Sequence, residues 1–184
     1  MDTKRWINEI DNITQSISAE FGGLSSEQLN WKPNTETWSI GQILDHLIVI
    51  NKTYFPILEQ LKREKYKLIW LGKIDFVVQF FGALILKSVQ PDTKRKMKTL
   101  PIWEPTKSAV SGEIISSFVD HQSQLRENIS TCSYLLDKGV VISSPANRVI
   151  VYKLENAFAI ILAHEKRHLQ QARELNQLRI KSVS

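Results

Sequence analysis

Hydrophobic residues recur at intervals of three and four along most of the chain, which is the spacing of one face of an α-helix. This spacing predicts four long amphipathic helices, which cover about Trp6 to Phe21, Ser39 to Leu61, Gly112 to Lys138, and residues 153–178. One short β-prone run, residues 148–152, is too small to predict a sheet. We therefore expect an all-α protein, a four-helix bundle that forms a single domain over residues 1–184.

Residues 64–105 interrupt this pattern between the second and third predicted helices. The longest apolar run of the chain lies here, at residues 68–86, but Lys73, Asp75 and Gln79 divide it. A membrane span is therefore not expected. We predict an inserted apolar helix that covers the mouth of the bundle or forms an oligomer interface, because so much apolar surface must be buried. Attachment to a membrane surface is a third, less favoured alternative, supported by basic runs at both ends of the segment.

Composition narrows the class of protein further. The single cysteine, Cys132, excludes an intrachain disulfide and any multi-cysteine metal site, and its position on an apolar stripe predicts a buried thiol. The net charge of +5 is modest and no nucleic-acid recognition motif accompanies it, so nucleic acid is not an expected partner. The N-terminal residues lead into an amphipathic pattern instead of a signal peptide, so a cytoplasmic location is expected.

The chemistry of the chain is concentrated in His164-Glu165-Lys166-Arg167-His168. Two histidines four residues apart lie one helical turn apart, so both imidazoles can reach one metal ion. The same spacing is the H-E-x-x-H signature of zinc proteases, in which the glutamate is the general base. The helical phase turns all three side chains toward neighbouring helices. An interior hydrogen-bond network without metal therefore stays an equal alternative.

A third ligand is available on the second helix. His46 lies on the flank of its apolar face, where a side chain can point between helices, and it would complete a site of His46, His164 and His168. His121 lies beside the stripe of the third helix and is expected to be a partly buried structural residue. No histidine follows His168, which argues against the protease, because such enzymes take a further ligand from downstream.

Two segments resemble the DinB-like superfamily, a group that includes bacillithiol S-transferases. They are residues 24–47, which run from Leu24-Ser25-Ser26-Glu27-Gln28-Leu29-Asn30-Trp31 to Asp45-His46-Leu47, and residues 164–171. The resemblance implies a four-helix bundle that binds a divalent metal ion, zinc or nickel, through His46, His164 and His168. It also implies a homodimer as a common assembly. The insertion at residues 64–105 matches no motif of that family.

The expected function is a metal-dependent transfer of a small-molecule thiol to a small electrophile, because a bound metal ion turns a thiol into a thiolate at neutral pH. Glu165 is the candidate catalytic residue, either as a proton acceptor or as the partner of a histidine's second ring nitrogen. One alternative is a non-catalytic, metal-stabilised bundle or a binding module that uses residues 64–105 on a partner. A metal-dependent hydrolase is a weaker alternative.

Overall fold

The computed structural model describes residues 3–91, 99–105 and 109–183. The expected all-α bundle is confirmed. Helices account for most of the described chain, and their bounds are α1 Lys4–Phe21, α2 Ser26–Asn30, α3 Ile40–Lys52, α4 Phe55–Lys62, α5 Asp75–Ser88, α6 Ile114–Thr131, α7 Ser133–Asp137 and α8 Leu154–Val183. The bundle consists of α1, α3, α6 and α8, in which α1 and α3 each pack against both α6 and α8.

Two of the predicted helices are shorter than expected. The second ends at Lys52, and the chain restarts as α4 at Phe55, with Pro56 in its first turn. A proline ring has no N–H to donate and clashes with the carbonyl four residues earlier, so one continuous helix cannot pass through it. The third predicted helix divides at Cys132 into α6 and α7. The start of α3 is as the sequence indicates, since Ser39 and Gln42 form a reciprocal capping box.

The β-prone run forms part of a small antiparallel hairpin. Its strands are β1 Val141–Ser143 and β2 Val151–Lys153, and Ile142 pairs with Tyr152. The hairpin leads directly into α8. It therefore provides a fixed starting point for the helix that carries two of the candidate ligands.

The inserted segment contains α5 between two short 3-10 turns, Trp70–Lys73 and Pro101–Trp103. Tyr66 anchors its beginning, because its hydroxyl accepts a hydrogen bond from the backbone N–H of Ser143 at 2.7 Å. The buried side of α5 packs against β2 and α8, and Gly82 permits close contact with the side chain of Asn156. The predicted helix is present, and the turn at Pro101–Trp103 packs against α3.

Two further expectations concern this segment. The basic run at residues 94–98 lies outside the described residues. No helix in the described ranges has both the length and the apolar character needed to span a membrane.

Cys132, at the end of α6, is buried and free, as its pattern predicts.

Candidate metal centre

The packing of α3 against α8 brings His46, His164 and His168 together. Nε2 of His164 lies 3.5 Å from Nε2 of His46 and 3.0 Å from Nε2 of His168. A tetrahedral zinc ion with Zn–N bonds of about 2.0–2.1 Å places its nitrogen ligands about 3.3 Å apart. The spacing of the three Nε2 atoms therefore suits one small metal ion.

The inserted segment fixes the orientation of His46. Nδ1 of this ring lies 2.5 Å from the backbone carbonyl oxygen of Trp103, to which it can donate its proton. Nε2 of the same ring then keeps its lone pair and points toward the other two histidines. A second-sphere carbonyl of this kind is the usual device that sets the tautomer of a metal-binding histidine.

Trp38 forms an aromatic wall beside the cluster. Its ring centroid lies 4.9 Å from that of His46, and it stacks on His168 at 6.4 Å with an interplanar angle of 22°. Trp38 immediately precedes Ser39, whose capping box starts α3 and fixes the backbone next to this residue. The wall restricts the rotamers of two of the three histidines.

Burial keeps the three imidazoles neutral. Burial, together with the nearby His46 and Arg167, lowers the pKa of His168 to about 3. The pKa of His164 lies well below its usual value for the same reason, with contributions from both neighbouring histidines. Burial also lowers the pKa of His46, against the opposing effect of the Trp103 carbonyl. Metal ions bind the neutral form of imidazole, so the cluster is in the binding form at physiological pH.

Comparison with known proteins assigns the family. The family model described as the DinB superfamily matches residues 9–172, which is most of the chain and contains all three histidines. The chain belongs to the DinB superfamily. The uncharacterized protein YuaE of Bacillus subtilis (strain 168) is 30% identical over 161 residues, which are 86% of this chain and 89% of that protein. No solved structure gives a significant match.

Glu165 of this DinB-superfamily protein lies in a buried hydrogen-bonded cluster with Asn51 and Gln122. Its side chain is fully buried; Oε1 accepts a hydrogen bond from Nδ2 of Asn51 at 2.7 Å, and Oε2 accepts one from Nε2 of Gln122 at 3.0 Å. In the described part of the chain its two carboxylate oxygens accept from these amides and not from an imidazole. Burial raises its pKa to about 7, although both amide hydrogen bonds oppose that shift.

His121 does not join the cluster. It is almost completely buried, where partial burial was expected, and it stacks on Phe55 with ring centroids 5.4 Å apart. Neither ring nitrogen has a hydrogen-bond partner in the described part of the chain. Burial, assisted by the charge of Lys52, lowers its pKa to about 4. His121 is therefore a neutral, stacked core residue.

Sequence reasoning missed four residues that surround the site: Trp38, Asn51, Trp103 and Gln122. Asn51 and Gln122 carried a readable signal, since each is a polar residue on the buried side of an apolar helix. Trp103 carried none, because its contribution is a backbone carbonyl in a turn far from His46 in the chain.

Proposed function

We propose that this protein is a metal-dependent thiol S-transferase that acts on a small electrophile. The observation that carries the proposal is the convergence of three buried, neutral imidazoles through Nε2 atoms 3.0 and 3.5 Å apart. Membership of the DinB superfamily supports it, because that group includes bacillithiol S-transferases. The proposal goes beyond the family assignment in naming a reaction.

The donor set fits a zinc or nickel ion, because both accept imidazole nitrogen and neither requires a carboxylate. His46, His164 and His168 would hold it through Nε2. A bound ion of this kind lowers the pKa of a thiol and makes the thiolate available at neutral pH.

The thiol must come from a cosubstrate. Cys132 is the single cysteine of the chain; it is buried at the end of α6, and burial raises the pKa of its thiol. A buried thiol with a raised pKa is a poor nucleophile. In the proposed reaction the cosubstrate sulfur forms a bond to the electrophilic carbon, and the leaving group departs with the electron pair of the broken bond.

The residues around the histidines have supporting roles in this proposal. The Trp103 carbonyl holds the tautomer of His46, and Trp38 restricts the rings of His46 and His168. Glu165 is engaged by two amides, which favours a positioning role for α8 over proton transfer. As parts of the same proposal, the protein acts in the cytoplasm, where a lone free cysteine is typical, and assembles as a homodimer.

Thiol-dependent turnover tests the proposal directly. Protein loaded with zinc or nickel is mixed with a panel of low-molecular-weight thiols and a fluorogenic alkylating electrophile, and the rate of thioether formation is measured. We expect turnover that requires both thiol and metal, that disappears in His168→Ala, and that persists in the matched control His121→Phe. Equal rates in wild type and His168→Ala would contradict the proposal.

A second candidate function is a binding protein in which a metal only stabilises the bundle. The exposed apolar side chains of α5 favour it, because such a surface is typical of interaction sites. Metal-dependent stability without turnover on any thiol would support this candidate. A hydrolase is distinguished by Glu165→Gln, which should abolish ester or amide cleavage while metal is retained if Glu165 is a general base.

A further inference from the structure

The helix α5 is apolar on both of its sides, which is unusual for a helix at the surface of a soluble domain. Val78 and Gly82 form its buried side, where it packs on β2 and α8. On the opposite side Phe76, Phe80 and Leu84 follow one another at intervals of four, and 76% of Phe76 and 52% of Phe80 is exposed. We call these three residues the outer stripe of α5.

The outer stripe belongs to a larger apolar patch. Trp70 and Ile74, at the turn before α5, are also exposed, and that turn packs against α5. With aromatic side chains of roughly 150–250 Å² each, the five residues present on the order of 500 Å² of apolar surface. This is as large as the largest patches on ordinary monomers, and such patches are often functional.

Lysines lie at both ends of the outer stripe. Lys73 ends the 3-10 turn that precedes α5, three residues before Phe76, and Lys87 lies in the last turn of α5, three residues after Leu84; both are exposed. Residues 64–88, which lead up to the end of α5, contain four Lys but only one Glu and one Asp, a net charge of +2. The apolar patch therefore lies in a segment with an excess of basic residues.

This charge distribution argues against a second copy of the chain on the outer stripe. A two-fold axis through the stripe brings Lys73 against Lys87 if the helices are antiparallel, and each lysine against its own counterpart if they are parallel. Like charges in such positions oppose association. The patch is also smaller than the surface of about 800 Å² that each partner buries in a stable complex.

We propose that the outer stripe of α5 docks on the surface of an anionic lipid bilayer. The helix lies in the plane of the membrane, with Phe76, Phe80 and Leu84 inserted at the boundary between headgroups and acyl chains. Lys73 and Lys87 contact the anionic headgroups at either end. An exposed apolar surface with Phe and Trp, flanked by lysines, is typical of interfacial membrane binding. The apolar sequence of this segment predicts burial against the protein. Because the outer stripe is exposed, we favour attachment to a membrane surface instead.

Vesicle flotation tests the proposal with the full-length protein. Vesicles of phosphatidylcholine alone are compared with vesicles that contain about one-third phosphatidylglycerol, at low and at high salt. We expect binding to the anionic vesicles that is at least about tenfold stronger than to the neutral ones and that weakens with salt. Both Phe76→Ser/Phe80→Ser and Lys73→Glu/Lys87→Glu should lose at least about tenfold in vesicle affinity.

The matched control is Tyr134→Ser/Leu178→Ser, which removes two exposed apolar side chains elsewhere; Leu178 is as exposed as Phe80. The control should bind vesicles like wild type, and circular dichroism should show that every variant is folded. Absence of vesicle binding by wild type, or equal loss in the control, overturns the proposal. It is also overturned if wild type binds no vesicles but forms a dimer that Phe76→Ser/Phe80→Ser dissociates, or binds a single-stranded RNA that Lys73→Glu/Lys87→Glu releases.

Discussion

Two regions of the molecule reverse the usual distribution of polar and apolar residues, in opposite directions. Between α3 and α8, ionisable side chains are turned inward: His46, Glu165 and His168 are buried. On α5, large apolar side chains such as Phe76 and Phe80 are turned outward. Both departures work against stability, because burying ionisable groups and exposing apolar surface are each unfavourable.

The two regions differ in how their unfavourable groups are arranged. The buried imidazoles converge on one point, and Glu165 is matched by two amide donors, so the interior polar groups are organised around each other. The apolar groups of α5 contact one another, since Phe76 stacks on Phe80 with ring centroids 6.3 Å apart, but their outer surfaces face solvent. The arrangement of the first region is therefore compatible with metal binding, whereas the second leaves apolar surface exposed to solvent.

The largest expected effect on stability comes from removing the carboxylate of Glu165 from its buried cluster with Asn51 and Gln122. Glu165→Ala leaves the amides of Asn51 and Gln122 unpaired in the core, and it should lower the free energy of unfolding by about 3 kcal/mol. Glu165→Gln keeps the volume and should cost about 1 kcal/mol. Urea unfolding of metal-free protein measures both. A loss well below about 1 kcal/mol in Glu165→Ala would show that this hydrogen-bonded cluster contributes little to the stability of the folded chain.

The next effect is a dependence of stability on pH that comes from His121. The pKa of His121 is about 4 in the folded chain, below the ordinary value of 6.5, so the unfolded chain takes up the proton first as pH falls. Its contribution to stability is present above pH 6.5 and is lost between pH 6.5 and about 4. His121→Phe retains the stacking on Phe55 and removes this titration.

The stabilities of chelator-treated wild type and His121→Phe should therefore diverge as the pH is lowered. The difference in their free energies of unfolding should move in favour of the variant by up to about 3 kcal/mol across this range. The other three histidines titrate in both proteins and cancel in the difference. Parallel stability curves for the two proteins would mean that His121 is not a neutral core residue.

A smaller effect is expected from the turn that supports His46. Trp103→Gly should loosen the carbonyl that accepts from Nδ1 and should lower metal affinity by about tenfold. Ile102→Gly introduces the same flexibility one residue earlier, at an exposed side chain, and is the matched control. Competition with a chromophoric chelator measures both affinities. Equal losses in the two variants would assign the effect to the flexibility of the turn instead of the carbonyl contact.

The local parts of this account could be predicted from the sequence. Periodicity predicts the helices of the bundle, the serine at position 39 predicts the start of α3, and the four-residue spacing predicts that His164 and His168 share a face. Pro56 was an available signal for the break between α3 and α4. The apolar spacing continues across this proline and by itself predicts one unbroken helix.

The parts that depend on contacts between distant segments could not be predicted. The carbonyl of Trp103 meets His46 across 57 positions, and Gln122 meets Glu165 across 43. A backbone carbonyl has no residue type to recognise, and a buried glutamine resembles a solvated one in a sequence. The orientation of α5 is a further case, because a helix that is apolar all round does not indicate which side faces the protein.

Metal content tests the central claim most directly. Protein purified without an affinity tag is incubated with zinc or nickel, desalted and measured by elemental analysis, for wild type, His168→Ala and His121→Phe. The account predicts close to one ion per chain in wild type and His121→Phe, and little or none in His168→Ala, where one of three ligands is lost. No ion in wild type, or equal amounts in wild type and His168→Ala, would contradict a metal centre formed by His46, His164 and His168.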